Sequence, residues 1–432
     1  MEHDIPIIEP AIPPNRAVRV DQAVLEALSL LPKADRLTVL VNDPQRDTAT
    51  GILLEALFRL APPSGIRMLV ATGSHSFAAA QRASHEGMLI GACQGGAPSR
   101  SAKAEHVPAI AWHECMSPDL VSIGGVWSGH PWLLEWPHIL ALGSVEPHYF
   151  AGFTGAHKTC TIGCAAFEDI QANHAHALDP ESGPCRLEGN PVHDGIAAML
   201  RALERMRPIA SVNLVQTAAP EAASSRPGCR NGGAAPRRIV GAFGGSPDGS
   251  LRAAAQAAGE TFVRQIDSPA DALILDVTGP LGESFYQADK GIKNNEWAVR
   301  DGGCLVLVAP CGQGIGQAHF VNLLREAPDY RAAVELVNRR GYRLGDHKAV
   351  RLRYLTDPAC RGVRVFVVSP GLSEGDAATL GLTKAAGVDD ALAAAGLSPS
   401  RHTIYRVRDA GNLVVSVSGR PELFSREPKA SA

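Results

Sequence analysis

The residues with the clearest chemical potential lie in one stretch, 146–174, which combines imidazoles, an amine and several glycines. His148 is a candidate for proton transfer, because an imidazole titrates close to neutral pH. Lys158 could meet a phosphate near a helix N-terminus or attack an electrophile. His174, at the end of the stretch, could ligate a metal ion. The spacing alone leaves the chemistry open, since lone histidines and glycine-rich turns often have purely structural roles.

Two predicted elements position these side chains. An apolar run at residues 139–145 predicts a strand, so His148 should lie just beyond its carboxyl end. Residues 165–174 have the pattern of a helix, which puts Lys158 in the turn before the helix and His174 at its far end. In open α/β sheets, ligands bind at the edge formed by the carboxyl ends of the strands. The stretch is therefore predicted to contribute to a site at such an edge.

Polar side chains also follow two earlier apolar runs. The predicted strand at residues 36–41 leads to Asp43 and Arg46, and the predicted strand at 66–71 leads to His75. A helical pattern separates the two strands, which is the alternation of a parallel sheet covered by helices. These side chains should therefore meet at one edge of one sheet.

The central stretch resembles the lactate racemase family. The family pattern Pro-His-x-x-Ala-Gly-Phe-x-Gly-x-x-Lys is matched from Pro147 to Lys158, and an Asn-His pair ends sixteen residues later at His174. The loops after the two earlier strands match the family's Asp-x-x-Arg and Thr-Gly-x-His blocks, and a Tyr-Gln-x-x-Lys block lies at 286–290. Five separated blocks thus recur in order over about residues 35–410.

The resemblance implies a cofactor and a role for each matched position. Members of the family use a nickel-pincer nucleotide, a pyridinium mononucleotide with two sulfur-bearing arms that hold nickel. By resemblance, Lys158 tethers this cofactor as a thioamide and His174 ligates the nickel. His75 and His148 are the implied catalytic bases, one for each configuration of the substrate. The other implied roles are substrate binding by Arg46, Gln287 and Lys290, and cofactor binding by Asp43, Tyr286, Gln287 and Lys290.

The reaction that the resemblance implies is inversion of C2 in a 2-hydroxy acid. The C2–H bond is a poor acid beside a carboxylate, so the hydrogen leaves with its electron pair, goes to C4 of the pyridinium ring and returns to the other face. Two departures concern the substrate: Ser76 stands where the family often has arginine, and Asp47 where it often has proline. The sequence therefore leaves lactate, a sugar acid, and a larger or aryl 2-hydroxy acid as alternatives.

Length and strand pattern predict the α/β class, with two α/β domains and mostly parallel sheets, and the resemblance implies an active site in the cleft between them. We expect an N-terminal domain at residues 1–268 and a C-terminal domain at 269–409, where a new series of strands begins. A tail at about 410–432 could return to the first domain. The glycine-rich loop at 310–316 is not a dinucleotide-binding fingerprint, because its spacing differs and no acidic residue follows at the required distance.

Composition limits the partners and the compartment. The net charge of −3 gives no reason to expect nucleic acid or an anionic membrane surface as a partner. No apolar run reaches the roughly 18 residues of a membrane span, and no secretory signal is visible. The nine cysteines do not form a disulfide framework, which favours the cytoplasm. The expected partners are a small 2-hydroxy acid and the cofactor-synthesis enzymes, and the oligomeric state stays open, with a homodimer as one alternative.

Two readings from other classes compete with the racemase. One is a zinc hydrolase built on His148 and His174, which would require a third ligand and a general base. The other is a binding protein that has kept the fold without the chemistry. A thiolate metal site at Cys160 and Cys164 is a further alternative, although no second cysteine pair completes it.

Three local predictions complete the sequence analysis. Residues 216–238 are rich in Ala, Ser, Pro and Gly, which predicts a flexible surface excursion. A turn at 189–193 is predicted to precede a helix at 197–205. The histidines and tryptophans within 101–138 are predicted to pack around irregular strands, with none of them acting as a ligand.

Overall fold

The computed structural model describes residues 5–13, 18–32, 36–60, 65–95, 107–218 and 237–419. Two six-stranded sheets, each packed against helices, form two lobes. All the pairings within the two sheets are parallel except one, so the predicted α/β class with mostly parallel sheets is confirmed. In the described ranges, no helix has both the length and the apolar character that crossing a membrane requires.

The described elements are numbered in chain order. The strands are β1 (Ile7–Ile8), β2 (Leu37–Asn42), β3 (Ile66–Ala71), β4 (Ala109–Trp112), β5 (Val121–Ile123), β6 (Trp127–Gly129), β7 (His138–Ser144), β8 (Pro147–His148), β9 (Gly152–Phe153), β10 (Ile209–Ala218), β11 (Arg237–Gly245), β12 (Val263–Ile266), β13 (Ala270–Asp276), β14 (Val299–Val308), β15 (Arg364–Val368), β16 (Thr383–Lys384), β17 (Ile404–Val407) and β18 (Val414–Val417). The helices are α1 (Val20–Ser29), α2 (Thr50–Leu60), α3 (Ala79–Cys93), α4 (Trp132–Glu135), α5 (Ala156–Thr159), α6 (Phe167–Ala175), α7 (Pro191–Glu204), α8 (Pro247–Phe262), α9 (Phe285–Asn295), α10 (Ala318–Glu326), α11 (Tyr330–Arg340), α12 (Asp346–Thr356), α13 (Glu374–Leu380) and α14 (Val388–Ala394).

The first sheet has the strand order β11-β10-β7-β2-β3-β4, with only the β10–β11 pair antiparallel. The chain runs outward from β2 to β3 and β4 and then returns to the opposite side of β2 as β7. A crevice opens at such a reversal of strand order, beyond the carboxyl ends of the strands, and ligands bind there. The loops after β2, β3 and β7 carry Asp43, His75 and His148, so the topology brings the three predicted blocks to one edge.

Alternating side chains of these strands enter two separate cores. In β3, Leu69 packs into the cluster on one face, whereas Met68 and Val70 pack into the cluster on the other. This alternation follows from the two-residue period of a strand whose two faces are both covered by helices. Full burial of one such side chain stabilises the fold by roughly 1.5–3 kcal/mol. The sheet is thus a rigid base for the loops at its edge.

The second sheet has the order β1-β17-β13-β14-β15-β16 and is parallel throughout. Its reversal lies between β13 and β17, so it opens a second crevice at its own carboxyl edge. Strand β1, at the start of the chain, pairs with β17 of this sheet rather than with the first sheet. Strand β18 pairs with β12, and its Val415 and Val417 side chains pack into the core of the second lobe. The boundary at 268/269 stays a prediction, and residues 7–8 and 414–417 pack with the second lobe.

Three local features can be compared with the sequence analysis. Helix α7 begins at Pro191 rather than at 197, because the Asn190 side chain accepts hydrogen bonds from Val192 N and His193 N and so caps the helix. Strands β10 and β11 include residues 216–218 and 237–238 of the predicted excursion, whose residues 219–236 lie outside the described ranges.

The aromatic residues before β7 pack as predicted. Trp127 is buried and donates its indole hydrogen to Met199 O at 3.0 Å. The ring centres of Trp132 and Trp136 each lie 4.4 Å from the guanidinium carbon of Arg67. None of the described histidines and tryptophans of this segment lines the cleft between the lobes, and His106 lies outside the described residues.

Candidate active site in the cleft between the lobes

The carboxyl edges of the two sheets face one cleft with a volume of about 330 Å³. All the site residues predicted from the sequence line it: Asp43, Arg46, His75, His148, Lys158, His174, Tyr286, Gln287 and Lys290. The first six come from the first lobe and the last three from helix α9 of the second lobe. The fold therefore brings together residues that are up to about 250 positions apart in the sequence.

His75 and Asp43 form a hydrogen-bonded pair at the mouth of the cleft. Asp43 is buried and caps a short 3₁₀ turn by accepting a hydrogen bond from Gln45 N. Its second carboxylate oxygen lies 2.9 Å from Nδ1 of His75. When the imidazole is neutral, Nδ1 donates to the carboxylate, and the lone pair is then on Nε2. The pair thus provides His75 with the tautomer that a general base requires.

Arg46 and Asp47 are neighbours with different surroundings. Arg46 lines the cleft and is exposed, and its guanidinium forms no hydrogen bond or ion pair with a described residue. Asp47 is paired with Arg237, whose Nε lies 2.8 Å from its carboxylate. The Asp47 carbonyl also accepts a hydrogen bond from Gln216. The acidic departure from the family pattern is therefore neutralised beside the cleft, and the guanidinium of Arg46 is open to an anion.

His148 lies in the β8–β9 hairpin and is buried between aromatic rings. Its ring stacks on Tyr149 at 5.2 Å with an interplanar angle of 15°, and it meets the edge of Phe150 at 4.5 Å. Its Nδ1 accepts a long hydrogen bond, 3.4 Å, from Ala151 N. Burial, reinforced by the charge of Lys158, lowers the pKa of His148 well below its ordinary value. The imidazole is therefore neutral, and packing rather than an ion pair holds it.

Lys158 belongs to the single-turn helix α5, which Asn213 anchors by accepting a hydrogen bond from Ala156 N at 2.8 Å. The turn lies directly on β7, where a Cβ at Gly143 would come within 2.5 Å of that same nitrogen, so only glycine fits. The Lys158 Nζ lies 5.7 Å from the centre of the Phe150 ring and has no hydrogen bond or ion pair with a described residue. Burial, with smaller contributions from nearby cations, lowers the pKa of Lys158 well below its ordinary value. Lys158 thus presents to the cleft an amine whose charged form is disfavoured, which is the direction that nucleophilic attack requires.

His174 lies near the end of α6 and completes the wall beside Lys158. Its ring is 5.1 Å from Phe150. Burial, followed by the charge of Lys158, lowers the pKa of His174 to about 3. A neutral imidazole keeps a lone pair for a metal ion, and nitrogen ligands of this kind suit Ni(II). The side chain therefore has the protonation state that its predicted role requires.

The second lobe contributes a cation and an amide from α9. Lys290 Nζ donates to Asn412 Oδ1 at 3.3 Å, and burial lowers the pKa of Lys290 to about 8. Gln287 Nε2 donates across the cleft to Gln45 Oε1 at 3.4 Å. Gln287 therefore joins the second lobe to the loop that carries Asp43 and Arg46.

The cleft is also lined by residues that were not predicted as site residues, and four of them bear on its chemistry. Helix α12 brings His347 and Lys348 to the cleft, where burial lowers the pKa of His347 well below its ordinary value and that of Lys348 to about 8. The negative charge of Glu146 raises the pKa of Lys158 and of Lys290, and so opposes the lowering of both pKa values by burial. Tyr149 adjoins His148 and is buried. The Gly-Asp-His-Lys run at 345–348 was the available signal, but only the packing of the two lobes turns it toward the site.

The described residues contain no cluster of metal ligands that would match the thiolate metal site or the zinc hydrolase. Cys160 and Cys164 are buried thiols that donate to the backbone carbonyls of His157 and Thr159. Burial raises the pKa of Cys160 to about 12, which disfavours the thiolate that a metal would need. Within the described ranges, no three His, Cys, Asp or Glu side chains are grouped as metal ligands, whereas catalytic zinc sites use three protein ligands.

Comparison with known protein families matches both lobes. A model described as the lactate racemase N-terminal domain matches residues 16–184, and one described as the lactate racemase C-terminal domain matches residues 266–407. The chain belongs to the lactate racemase family. The two matches cover both strand reversals and all nine predicted site residues.

Individual lactate racemases are similar to this chain over part of their length. The lactate racemase of Thermoanaerobacterium thermosaccharolyticum is 30% identical over 210 residues, which cover 47% of this chain and 43% of that protein. The lactate racemase of Lactiplantibacillus plantarum is 28% identical over 291 residues, which cover 65% and 60% respectively. The matched regions thus span about half the length of these relatives.

Solved structures confirm the fold. The lactate racemase apoprotein of Thermoanaerobacterium thermosaccharolyticum superposes with a TM-score of 0.73 at 21% identity, covering 95% of this chain and 94% of that one. A protein from Thermotoga maritima superposes with a TM-score of 0.65 at 16% identity, covering 92% and 97%. The two-lobed α/β architecture is therefore that of the lactate racemase family.

Proposed function

We propose that this protein is an isomerase that racemises or epimerises a 2-hydroxy acid at C2, using a nickel-pincer nucleotide tethered to Lys158. The observation that carries the proposal is the placement of Lys158: its amine has no hydrogen bond or ion pair with a described residue and lines the same cleft as His75, His148 and His174. The names of its relatives and the match of both family domains support the same reaction class.

The residues of the cleft fit the cofactor. Burial lowers the pKa of Lys158 toward the nucleophilic form that a thioamide link requires, and His174 offers a neutral nitrogen to nickel. Asp43, Tyr286 and Gln287 line the same space and would face the bound nucleotide. The chemistry that the cofactor supplies is reversible acceptance of the C2 hydrogen together with its electron pair.

The side chains of this protein handle the proton and the charge. His75, whose Nε2 is free to accept, would take the hydroxyl proton of one enantiomer. His148, which burial keeps neutral, would serve the other enantiomer. Arg46 would bind the substrate carboxylate with a planar pair of donors, and Lys290 and Gln287 would approach it from the second lobe. Each enantiomer would thus have its own base and a shared carboxylate site.

The proposal extends to the substrate class and the compartment. Because Asp47 is paired with Arg237, its charge does not oppose a carboxylate at Arg46, and lactate stays in the substrate set beside sugar acids and larger or aryl 2-hydroxy acids. The cysteines in the described part of the chain are free thiols, which suits the cytoplasm, where cofactor-synthesis enzymes would load the protein.

The decisive experiment compares the wild-type protein with Lys158→Arg, both produced with nickel and the cofactor-synthesis enzymes. Arginine keeps a long cationic side chain but cannot form the thioamide. We expect intact mass spectrometry to find the cofactor adduct, with nickel, on the wild-type protein alone. Enantiopure 2-hydroxy acids, lactate among them, should racemise in deuterated water with their own C2 hydrogen retained.

Three outcomes would contradict the proposal. The first is an undiminished adduct and turnover in Lys158→Arg, which would exclude the tether. The second is wash-in of solvent deuterium at C2, which would indicate removal of a proton rather than of a hydrogen with its electron pair. A loaded wild-type protein that binds nickel and turns over none of the acids would be a binding protein of this fold.

A further inference from the structure

Helix α12 of the second lobe contacts Tyr149 of the first lobe through three side chains on two successive turns. His347 Nε2 lies 2.9 Å from the Tyr149 hydroxyl, and Arg351 Nη1 donates to the Tyr149 carbonyl at 3.2 Å. Between them, the Lys348 ammonium lies 5.0 Å from the centre of the Tyr149 ring. One tyrosine of the first lobe is thus held by its hydroxyl, its ring and its backbone.

His347 is itself held from both sides of its ring. Its Nδ1 lies 2.7 Å from the Tyr342 hydroxyl within the second lobe, while its Nε2 faces Tyr149. A neutral imidazole has one donor and one acceptor, so one hydroxyl donates to the ring and the other accepts from it. Both His347 and Tyr149 are almost completely buried, so breaking either bond leaves a polar group without water. The imidazole therefore connects the two lobes in a single orientation.

The tyrosine that α12 holds is in direct contact with a candidate base. Its ring is stacked on His148 at 5.2 Å with 15° between the ring planes, and the two residues are adjacent in the hairpin. His148 has only a 3.4 Å hydrogen bond of its own, so its orientation depends on this packing. The segment before α12 also touches the helix of the predicted nickel ligand, since Leu344 N donates to Gln171 Oε1 at 3.2 Å.

We propose that His347 is a positioning residue, which orients His148 from the opposite lobe by holding Tyr149. The assignment rests on the proposed function for its catalytic consequence, but the docking of α12 on the hairpin can be measured without any activity. His347 would then act on the orientation of His148 through Tyr149, and only while the two lobes are in contact.

The test uses two substitutions that distinguish the hydrogen bond of His347 Nε2 to Tyr149 from that of Nδ1 to Tyr342. The amide of glutamine reaches about as far as Nε2, so His347→Gln keeps a partner for Tyr149. The amide of asparagine reaches about as far as Nδ1, so His347→Asn keeps a partner for Tyr342 alone. Tyr149→Phe removes the same interlobe bond from the other side, and Tyr330→Phe is the control, because Tyr330 contacts Tyr354 far along the second lobe.

Two readouts are taken on the full-length protein. Hydrogen–deuterium exchange of the peptide 147–153 should speed up in His347→Asn and Tyr149→Phe, but not in His347→Gln or Tyr330→Phe. In the loaded enzyme, the first two variants should lose about 10-fold in kcat with little change in KM, because a displaced base weakens the transition state rather than binding. His347→Gln should stay within about 3-fold of the wild type.

Three results would overturn the assignment. Unchanged exchange in both His347→Asn and Tyr149→Phe would mean that α12 does not hold the hairpin. Faster exchange with unchanged kcat would mean that the hairpin does not orient the base. Equal losses in His347→Gln and His347→Asn would assign the effect to general packing. If the loaded wild type fails to racemise any 2-hydroxy acid, the proposed function fails, and the exchange comparison still decides the contact.

Discussion

The two lobes bring different kinds of side chains to the cleft and hold them differently. The first lobe supplies imidazoles and an amine, and supports them from within: Asp43 holds His75, and Asn213 anchors the helix of Lys158. The second lobe supplies ammonium groups and amides, and several of its contacts reach across the cleft, as those of Gln287 and His347 do. The groups suited to proton transfer and to the cofactor link thus lie on a self-supporting edge, which also carries Arg46, and the second lobe adds ammonium groups that complete the site from outside.

This difference indicates a division of work. Proton transfer requires fixed geometry, because a small displacement of the base is costly. Binding a carboxylate requires positive charge, which tolerates more variation in position. We therefore expect substitutions of the proton-transfer groups of the first lobe to reduce kcat strongly, and substitutions of the ammonium groups of the second lobe to change pH dependence and binding. The predictions that follow test this expectation.

Replacing a base of the first lobe should have the largest effect. His148→Ala and His75→Ala should each reduce kcat/KM by about 10²–10⁴-fold, the usual contribution of a positioned proton-transfer residue. The loss in kcat/KM should be the same in both directions, because the equilibrium constant between enantiomers is one and no substitution changes it. Steady-state rates with each enantiomer measure this. A loss below 10-fold at both positions would place the proton transfer elsewhere.

Removing the charge of Asp43 should have the next largest effect. Asp43→Asn keeps the size of the side chain but no longer favours a proton on His75 Nδ1, so the base is held in the wrong tautomer more often. We expect kcat/KM to fall by roughly 10–100-fold, as for other partners that orient a functional histidine. The matched control is Asp47→Asn, which alters the neighbouring carboxylate and should cost less than about 3-fold. Equal losses in the two variants would contradict the role of Asp43.

The sequence predicted which loops form the site but not how their side chains pair. Asp43, His75 and His148 each follow an apolar strand, and parallel strands end at one edge, so their convergence was predictable. The 2.9 Å contact between Asp43 and His75 depends on the course of two separate loops, which carry no periodic signal. Asp47 illustrates the same limit: its partner, Arg237, lies beyond the residues 219–236 and could not be inferred from the local sequence.

The packing of the lobes was the other unpredictable feature. Strand β1 has only two residues and pairs with β17, about 400 positions later in the sequence. A strand of two residues is too short to show a hydrophobic pattern that would indicate its partner. The role of His347 depends on the same packing, because His347 and Tyr149 are 198 positions apart in the sequence and meet only where the lobes pack together. By contrast, the sequence contains a signal for the start of α7, because Asn190 followed by Pro191 is typical of a helix N-terminus. This signal places the start of the helix at Pro191 rather than at residue 197.

A charge of the second lobe should affect pH dependence rather than the chemical step. Burial lowers the pKa of Lys290 to about 8, so the ammonium is present at pH 7 and is lost as the pH rises through 8. If it binds the substrate carboxylate, kcat/KM at pH 9 should be about 10-fold below its value at pH 7. Lys290→Arg, which stays charged, should remove this alkaline decline even if its overall activity is lower. An identical decline in Lys290→Arg would assign it to another group.

The smallest effect is expected at Asp409, which supports Lys290 through Asn412 by accepting its amide hydrogen at 3.0 Å. Burial raises the pKa of Asp409 to about 6, and its backbone is left-handed with φ of 54°. A carboxyl group whose folded pKa is raised stabilises the fold below its unfolded pKa, near 4, and loses that contribution as the pH rises through 6.

Asp409→Asn should therefore raise the free energy of unfolding by roughly 1–3 kcal/mol at pH 7.5, since asparagine tolerates the left-handed region and carries no charge to bury. The gain should shrink markedly at pH 4, where the wild-type carboxyl group is protonated in the folded state and about half protonated in the unfolded state. Urea unfolding at the two pH values measures the difference. The negative charge of Asp409 raises the pKa of Lys290, so its removal should lower that pKa. The alkaline decline of kcat/KM should then begin at lower pH, which would link the stability of the fold to the charge of Lys290. A gain of equal size at both pH values would indicate relief of backbone strain alone.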